Sequence, residues 1–179
     1  MGVLLDHRLS FKQHLEATGV KAGRAASVLS GIMANIGGPR QRSSLIICSV
    51  VRAIIMYAAQ IWAPAMELPT YSRTCKAAYR RCTLRVLSAY RTVSEDAALV
   101  LAGMAPIDLL AAGTTIEDQA IREAETQRRW QERWRNTPNG IWTRRIVPDI
   151  GPWDLGALNS TYIDLNASRI RFARTVHGP

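Results

Sequence analysis

The sequence is poor in the residues that staple, span or catalyse. It has three cysteines, Cys48, Cys75 and Cys82, an odd number with no CxxC pair. That excludes a disulfide framework and a zinc ribbon, and leaves the reading of an intracellular chain with buried free thiols. No apolar run reaches the ~18 residues of a membrane span, so no membrane partner is expected. Asp6, His7 and Arg8 crowd the start, which rules out a signal peptide. There is no Walker-type or GxGxxG glycine pattern, and Gly37-Gly38 reads as a helix stop. No internal repeat or low-complexity segment occurs.

Catalytic groups are equally sparse. A two-metal polymerase site needs carboxylates that hold ions about 3.5–4 Å apart. Glu95-Asp96 and Glu117-Asp118 are adjacent pairs at helix starts or on exposed helix faces, where helix-dipole and solubility roles explain them. Asp6 follows an apolar segment and reads as a loop or cap residue. The three histidines, His7, His14 and His177, lack the partners of a triad or a zinc site and read as surface or satisfied residues. No cofactor is expected in this chain.

What the sequence has is positive charge on a helical frame. The 179 residues carry a net charge of +9, with 47% hydrophobic residues, enough for a core in one domain or slightly more. Arg far outnumbers Lys, which suits bidentate phosphate contacts. A balance this basic points to a polyanionic partner: RNA, DNA or an RNA/DNA hybrid.

Periodicity predicts a mostly α fold. Val3, Leu4 and Leu5 read as a short strand without a lead-in, so residue 1 has the look of an internal position of a longer protein. A helix then runs from Ser10 or Phe11 to about Ile36, with Leu15, Ala25, Leu29, Ile32 and Ile36 at helical steps. A second, from about Arg42 to Trp62, has the widest apolar stripe and reads as the central helix. It is ended by Pro64. A third spans about Thr70 to Ser88. It sets Cys75, Tyr79, Cys82, Val86 and Tyr90 on one face and Arg73, Lys76, Arg80, Arg81 and Arg85 across the other. A fourth starts near Glu95, with Thr92 and Glu95 spaced as a capping box. Gly103 and Pro106 mark its end and the next start. A long helix follows to about Arg135, with a possible break at Gly113-Thr-Thr, then a turn at Thr137-Pro-Asn-Gly140 and an irregular stretch from Trp142 to Trp153.

From Arg40 to Arg91 the only acidic residue is Glu67. The candidate nucleic-acid contacts in this stretch are Arg40, Arg42, Arg73, Lys76, Arg80, Arg81, Arg85 and Arg91. Such a helical face suits phosphate tracking without base readout. A solvated face or a protein-docking surface is the other reading. Trp130, Trp134 and Trp142, flanked by arginines, likewise divide between core packing against a neighbouring domain and an RNA-stacking platform.

Several segments carry a resemblance in order and spacing. They are Gly2 to Leu15 (GVLLDHRLSFKQHL), Asn35-Ile-Gly-Gly-Pro39, Arg42, and Tyr57-Ala-Ala-Gln-Ile-Trp62. Next come Tyr79-Arg-Arg-Cys82 with Arg85 and Tyr90-Arg91, then Trp130-Gln-Glu-Arg-Trp134, Trp142 and Ile146-Val-Pro-Asp-Ile150. Over roughly residues 2–153 the chain resembles the region after the palm in reverse transcriptases of non-LTR (LINE-type) retrotransposons of arthropods. The resemblance implies a last palm strand over 1–10, a thumb-like helical bundle over 11–91, and a helical connection over 92–153. A divergent tail over 154–179 resembles a truncation or frame change. The resemblance also implies a parent that is an RNA-directed DNA polymerase using Mg2+. Its catalytic carboxylates would lie before Met1, leaving this chain inactive alone. It singles out Arg42 for primer–template contact. The implied partners are the rest of the polymerase and primer–template nucleic acid, and the implied locations are nucleus and cytoplasm. The alternatives are a helical protein-interaction module or a remnant without function.

Overall fold

In a computed structural model, which describes residues 2–32 and 41–150, the protein is mostly α, as the periodicity predicts. The described residues contain eight α-helices and one short 3-10 turn, and no strand. The expected strand over residues 2–5 is therefore corrected. A strand needs a neighbour to take its backbone hydrogen bonds, and among the described residues no strand pairs with this segment. Leu4 and Leu5 are exposed instead. The Leu4 N–H donates to His14 Nδ1 at 3.3 Å. Asp6 does act as a cap. Its carboxylate accepts from the Phe11 N–H at 3.1 Å and from the Ser10 hydroxyl. The Ser10 bond is the main reason this carboxyl sits below its ordinary range.

Helix α1, Lys12–Ile32, buries Leu15, Ala22 and Ala26. Its contact face is made of small residues. A Cβ on Gly19 would meet the Thr74 backbone carbon at 2.7 Å, so α1 approaches the later helix α4 at backbone distance. Ala25, expected in the core, is half-buried. The expected stop at Gly37-Gly38-Pro39 lies outside the described residues.

Helix α2, Gln41–Met56, sends Ile47, Cys48, Val51 and Ile55 inward. It does not continue to Trp62. Ala58 takes a left-handed φ of 55°, and a short helix α3, Ala59–Trp62, starts anew. The break swings Trp62 fully into the core, where its indole N–H donates to the Tyr57 carbonyl at 2.9 Å. Pro64 does not end a helix; it sits in the first turn of the 3-10 segment Ala63–Glu67, where its missing N–H is harmless. Ile61, expected on the apolar stripe, faces out because of the break.

Helix α4, Pro69–Leu87, is the central one, in place of α2. It packs against α1, α2, the 3-10 turn and two later helices. Cys75, Ala78, Tyr79, Cys82 and Val86 are its buried face. Ser88, at φ 52°, closes it, and Tyr90, expected to share that face, lies beyond the helix and is 85% exposed.

Helix α5, Glu95–Ala102, is capped by Ser94, whose hydroxyl accepts from the Ala97 N–H at 3.4 Å, rather than by Thr92. Gly103, at φ 65°, ends it as expected. Helices α6, Ile107–Gly113, and α7, Gln119–Asn136, confirm the break after Gly113. The stretch from Trp142, expected to be irregular, instead begins inside helix α8, Ile141–Ile146, which follows Gly140 at φ 75°. That turn buries Val147 and Ile150 against Trp130, Trp134, Val100 and Ala97 as a second core. The tail 154–179 lies outside the described residues.

No single described helix is long and apolar enough to cross a membrane; two bent pairs match a span in length and composition, and both carry core residues.

Candidate nucleic-acid interface

Helix α4 lays its basic side along α1, and a groove of about 800 Å³ opens between them. Ser27 and Ser30 line it from α1; Arg80, Arg81 and Arg85 line it from α4, and Arg91 from the segment beyond. No acidic side chain lies among the described lining residues. The groove exists because α1 is small here. A Cβ on Gly23 would come within 2.6 Å of the Arg81 guanidinium, so that guanidinium lies close over the α1 backbone.

The groove arginines differ in how they are held. Arg81 and Arg91 are exposed. Arg85 is half-buried and donates to the Ser30 carbonyl at 3.1 Å, which bridges the two helices. Arg80 donates from Nη2 to the carbonyls of Arg91 and Val93, both at 2.7 Å. It therefore fixes the chain after α4 and sets Arg91 at the rim. Both Arg80 bonds come from Nη2, and a guanidinium has five N–H donors, so Arg80 can still offer its other nitrogens to an anion.

The remaining expected contacts lie elsewhere. Arg73 is exposed on α4 but outside the groove. Lys76 lies outside the groove and pairs with Asp108 of α6 at 2.9 Å. Arg133 pairs with the same carboxylate at 3.0 Å and with Asp96 at 3.2 Å, and Asp96 also accepts from Thr137 at 2.7 Å. Burial raises the Asp108 pKa, but Arg133 and then Lys76 outweigh it and hold the carboxyl below its usual value. Arg42 falls in the first turn of α2, and Arg40 lies outside the described residues.

The tryptophans divide. Trp130 and Trp134 are fully buried in the second core, and the Trp134 indole N–H donates to the Val147 carbonyl at 2.8 Å. A stacking platform at these two is excluded, because no ring face reaches solvent. The packing is against the chain's own helices. Trp142 is 76% exposed, with the Arg145 guanidinium 4.7 Å from its ring centroid.

Ser27 and Ser30 escape sequence reasoning: they carry no apolar signal, and only the packing of α1 on α4 makes them part of a groove. Tyr90, beside Arg91, is set with the core by helical phase, but the left-handed stop at Ser88 ends that phase and leaves it an exposed ring of the kind that stacks on bases. Among the described residues no group of three or more His, Cys, Asp or Glu side chains is arranged to hold a metal.

No protein-family profile matches the chain, and no solved structure does. The chain is similar to the retrovirus-related Pol polyprotein from type-1 retrotransposable element R1 2 of Nasonia vitripennis, 22% identical over an alignment of 178 residues. That likeness covers 84% of this chain and 43% of the relative, so the chain spans less than half the length of the protein it matches. The similarity supports a retrotransposon origin for this chain.

Proposed function

We propose that this chain is the thumb and connecting part of a retrotransposon RNA-directed DNA polymerase, and that it grips primer–template nucleic acid along the α1–α4 groove. The observation that carries this reading is the convergence of Arg80, Arg81, Arg85 and Arg91 on one open groove without acidic lining. Phosphate neutralisation supplies most sequence-independent affinity, and its mark is steep weakening with salt. Arginines and serines supply the polar lining of the groove, and these side chains suit phosphate contact, so it tracks backbone rather than sequence. Arg40, Arg42 and Arg73 are further phosphate contacts in this reading, whereas Lys76 serves the Asp108 pair. Polymerisation itself belongs to a palm with Mg2+ supplied by the rest of the polymerase, and the exposed Leu4, Leu5 and Leu9 suit contact with that part.

The test is fluorescence anisotropy of a labelled RNA/DNA hybrid titrated with the purified chain across a salt series. Binding should weaken steeply with salt. Replacing Arg81 and Arg85 by Ala should lower the slope of log affinity against log salt by about one for each phosphate no longer neutralised. Absence of binding at low salt overturns the reading and favours a protein-docking module or a remnant.

A further inference from the structure

One hydroxyl of the groove stands between two arginines. Gly23, Ser27 and Ser30 share one face of α1, at steps of four and three residues. At the first of them, a Cβ would come within 2.6 Å of the Arg81 guanidinium. At the last, the backbone carbonyl accepts from Arg85 at 3.1 Å. Ser27 lies between these two contacts. It is exposed and lines the groove, with no acidic side chain among the described lining residues. We propose that Ser27 is a phosphorylation site whose phosphate docks on Arg81 and Arg85 and fills the groove, so that the chain occupies its own polyanion site. The loss of nucleic acid that follows rests on the function proposed above; the docking of the phosphate does not.

The Ser27 hydroxyl donates to the Gly23 carbonyl at 3.0 Å. Giving up that bond orphans nothing, because a helix carbonyl at i−4 already serves the backbone N–H. The reaction takes a protein kinase and ATP. The Ser27 oxygen attacks the γ-phosphorus, the Oγ–P bond forms, the bond to the bridging oxygen breaks, ADP leaves, and the hydroxyl proton passes to the base of the kinase. Arg24 stands three residues ahead of Ser27, a charge pattern of the kind kinases read. The same pattern precedes Ser88 and Ser94, but Ser88 is half-buried at the left-handed stop of α4, and the Ser94 hydroxyl caps α5. It also precedes Ser43, whose side chain lies outside the described residues. Gly23 and Gly31 flank Ser27, and glycine is a poor helix former, which eases the local opening a kinase needs. Once attached, the phosphate carries a charge of about −1.5 to −2 at neutral pH, which matches the two arginines beside it. Bonds between phosphate and guanidinium are charge-assisted and strong.

The test compares the full chain carrying phosphoserine at residue 27 with the unmodified chain. In a phosphorus NMR titration the phosphate should lose its second proton below the ~6 of an unpaired phosphoserine, and Arg81→Ala should move that value back up. On a labelled RNA/DNA hybrid at about 0.1 M salt the phosphorylated chain should bind about tenfold to a hundredfold more weakly, the loss expected when two phosphate contacts are forgone. A second pKa of ~6 that ignores Arg81→Ala overturns the docking. Equal hybrid affinity for the two chains overturns the filling of the groove and leaves its nucleic-acid reading standing. No hybrid binding by the unmodified chain sinks that reading instead, and the NMR titration then decides the docking alone. Treating the unmodified chain with an arginine-directed serine kinase and ATP, then with trypsin, should place phosphate on Ser27 within peptide 25–40. Phosphate confined to other serines overturns the assignment of the site.

Discussion

The two lobes use the same residue, arginine, in opposite ways. Around α1 and α4, Arg81 and Arg91 project into an open groove, and Arg85 and Arg80 each fix a neighbouring backbone while lining it. Around α7 and α8, arginines are engaged by the protein's own oxygens. Arg144 donates to the carbonyls of Trp134, Arg135 and Thr137. Arg122 holds the carbonyl of Ile116, and Arg133 joins Asp96 to Asp108. Arg128 and Arg129 share Glu125, whose carboxyl their hydrogen bonds hold down at about 2. Charge counted along a sequence is therefore a poor guide to a polyanion surface. What matters is how many donors remain after internal acceptors are served.

The contrast can be broken at several points. The largest effect is expected at Trp134, which anchors the second core. Trp134→Ala should cost about 3–5 kcal/mol in urea unfolding. If the midpoint barely moves, the second lobe is not held by its tryptophans. Next is Asp108, the acceptor that joins α4 to α7. Asp108→Asn should lose about 1.5–3 kcal/mol at neutral pH. Its folded pKa lies below the unfolded value, so its contribution is present above the unfolded pKa and disappears as pH falls through the folded one. Thermal melts should then show the variant and the parent converging in acid, and parallel curves would refute the pairing.

The first lobe is tested by volume instead. Gly19→Ala thrusts a methyl group at the Thr74 backbone and should cost about 1–3 kcal/mol, read as a lower Tm. The smallest effect on stability is expected at the groove. Arg81→Ala should stay within about 0.5 kcal/mol of the parent in unfolding, yet flatten the salt dependence of hybrid binding by about one unit of slope. Arg128→Ala, which removes an internally paired charge, should leave that slope unchanged. Equal slopes for the two variants would erase the distinction between the lobes.

Much of the frame was legible because its signals are local. Gly103 and Pro106 punctuate α5 and α6 through backbone conformations that neighbours do not alter. The alternation of core and basic residues along α4 reads directly as two faces. Elsewhere local signals misled. The apolar run of Ile54, Ala58 and Ile61 continues in helical phase across a break that only the burial of Trp62 requires. Val3, Leu4 and Leu5 have strand character but no partner strand among the described residues. Thr92 has the spacing of a cap, but Ser94 wins because it stands next to the first helical residue.

By itself, the sequence determined that this protein is helical, basic and punctuated at Gly103, Gly113 and Gly140, because propensity, periodicity and turn chemistry act over a few residues. The tertiary structure decided that α4 is central, that Lys76 serves an ion pair and Arg81 a groove, and that Cys48 and Cys82 share one core. Each of these depends on which distant group fills the space beside a side chain. That choice follows from helix packing, to which residues as small as Gly19 and Gly23 contribute by their lack of bulk.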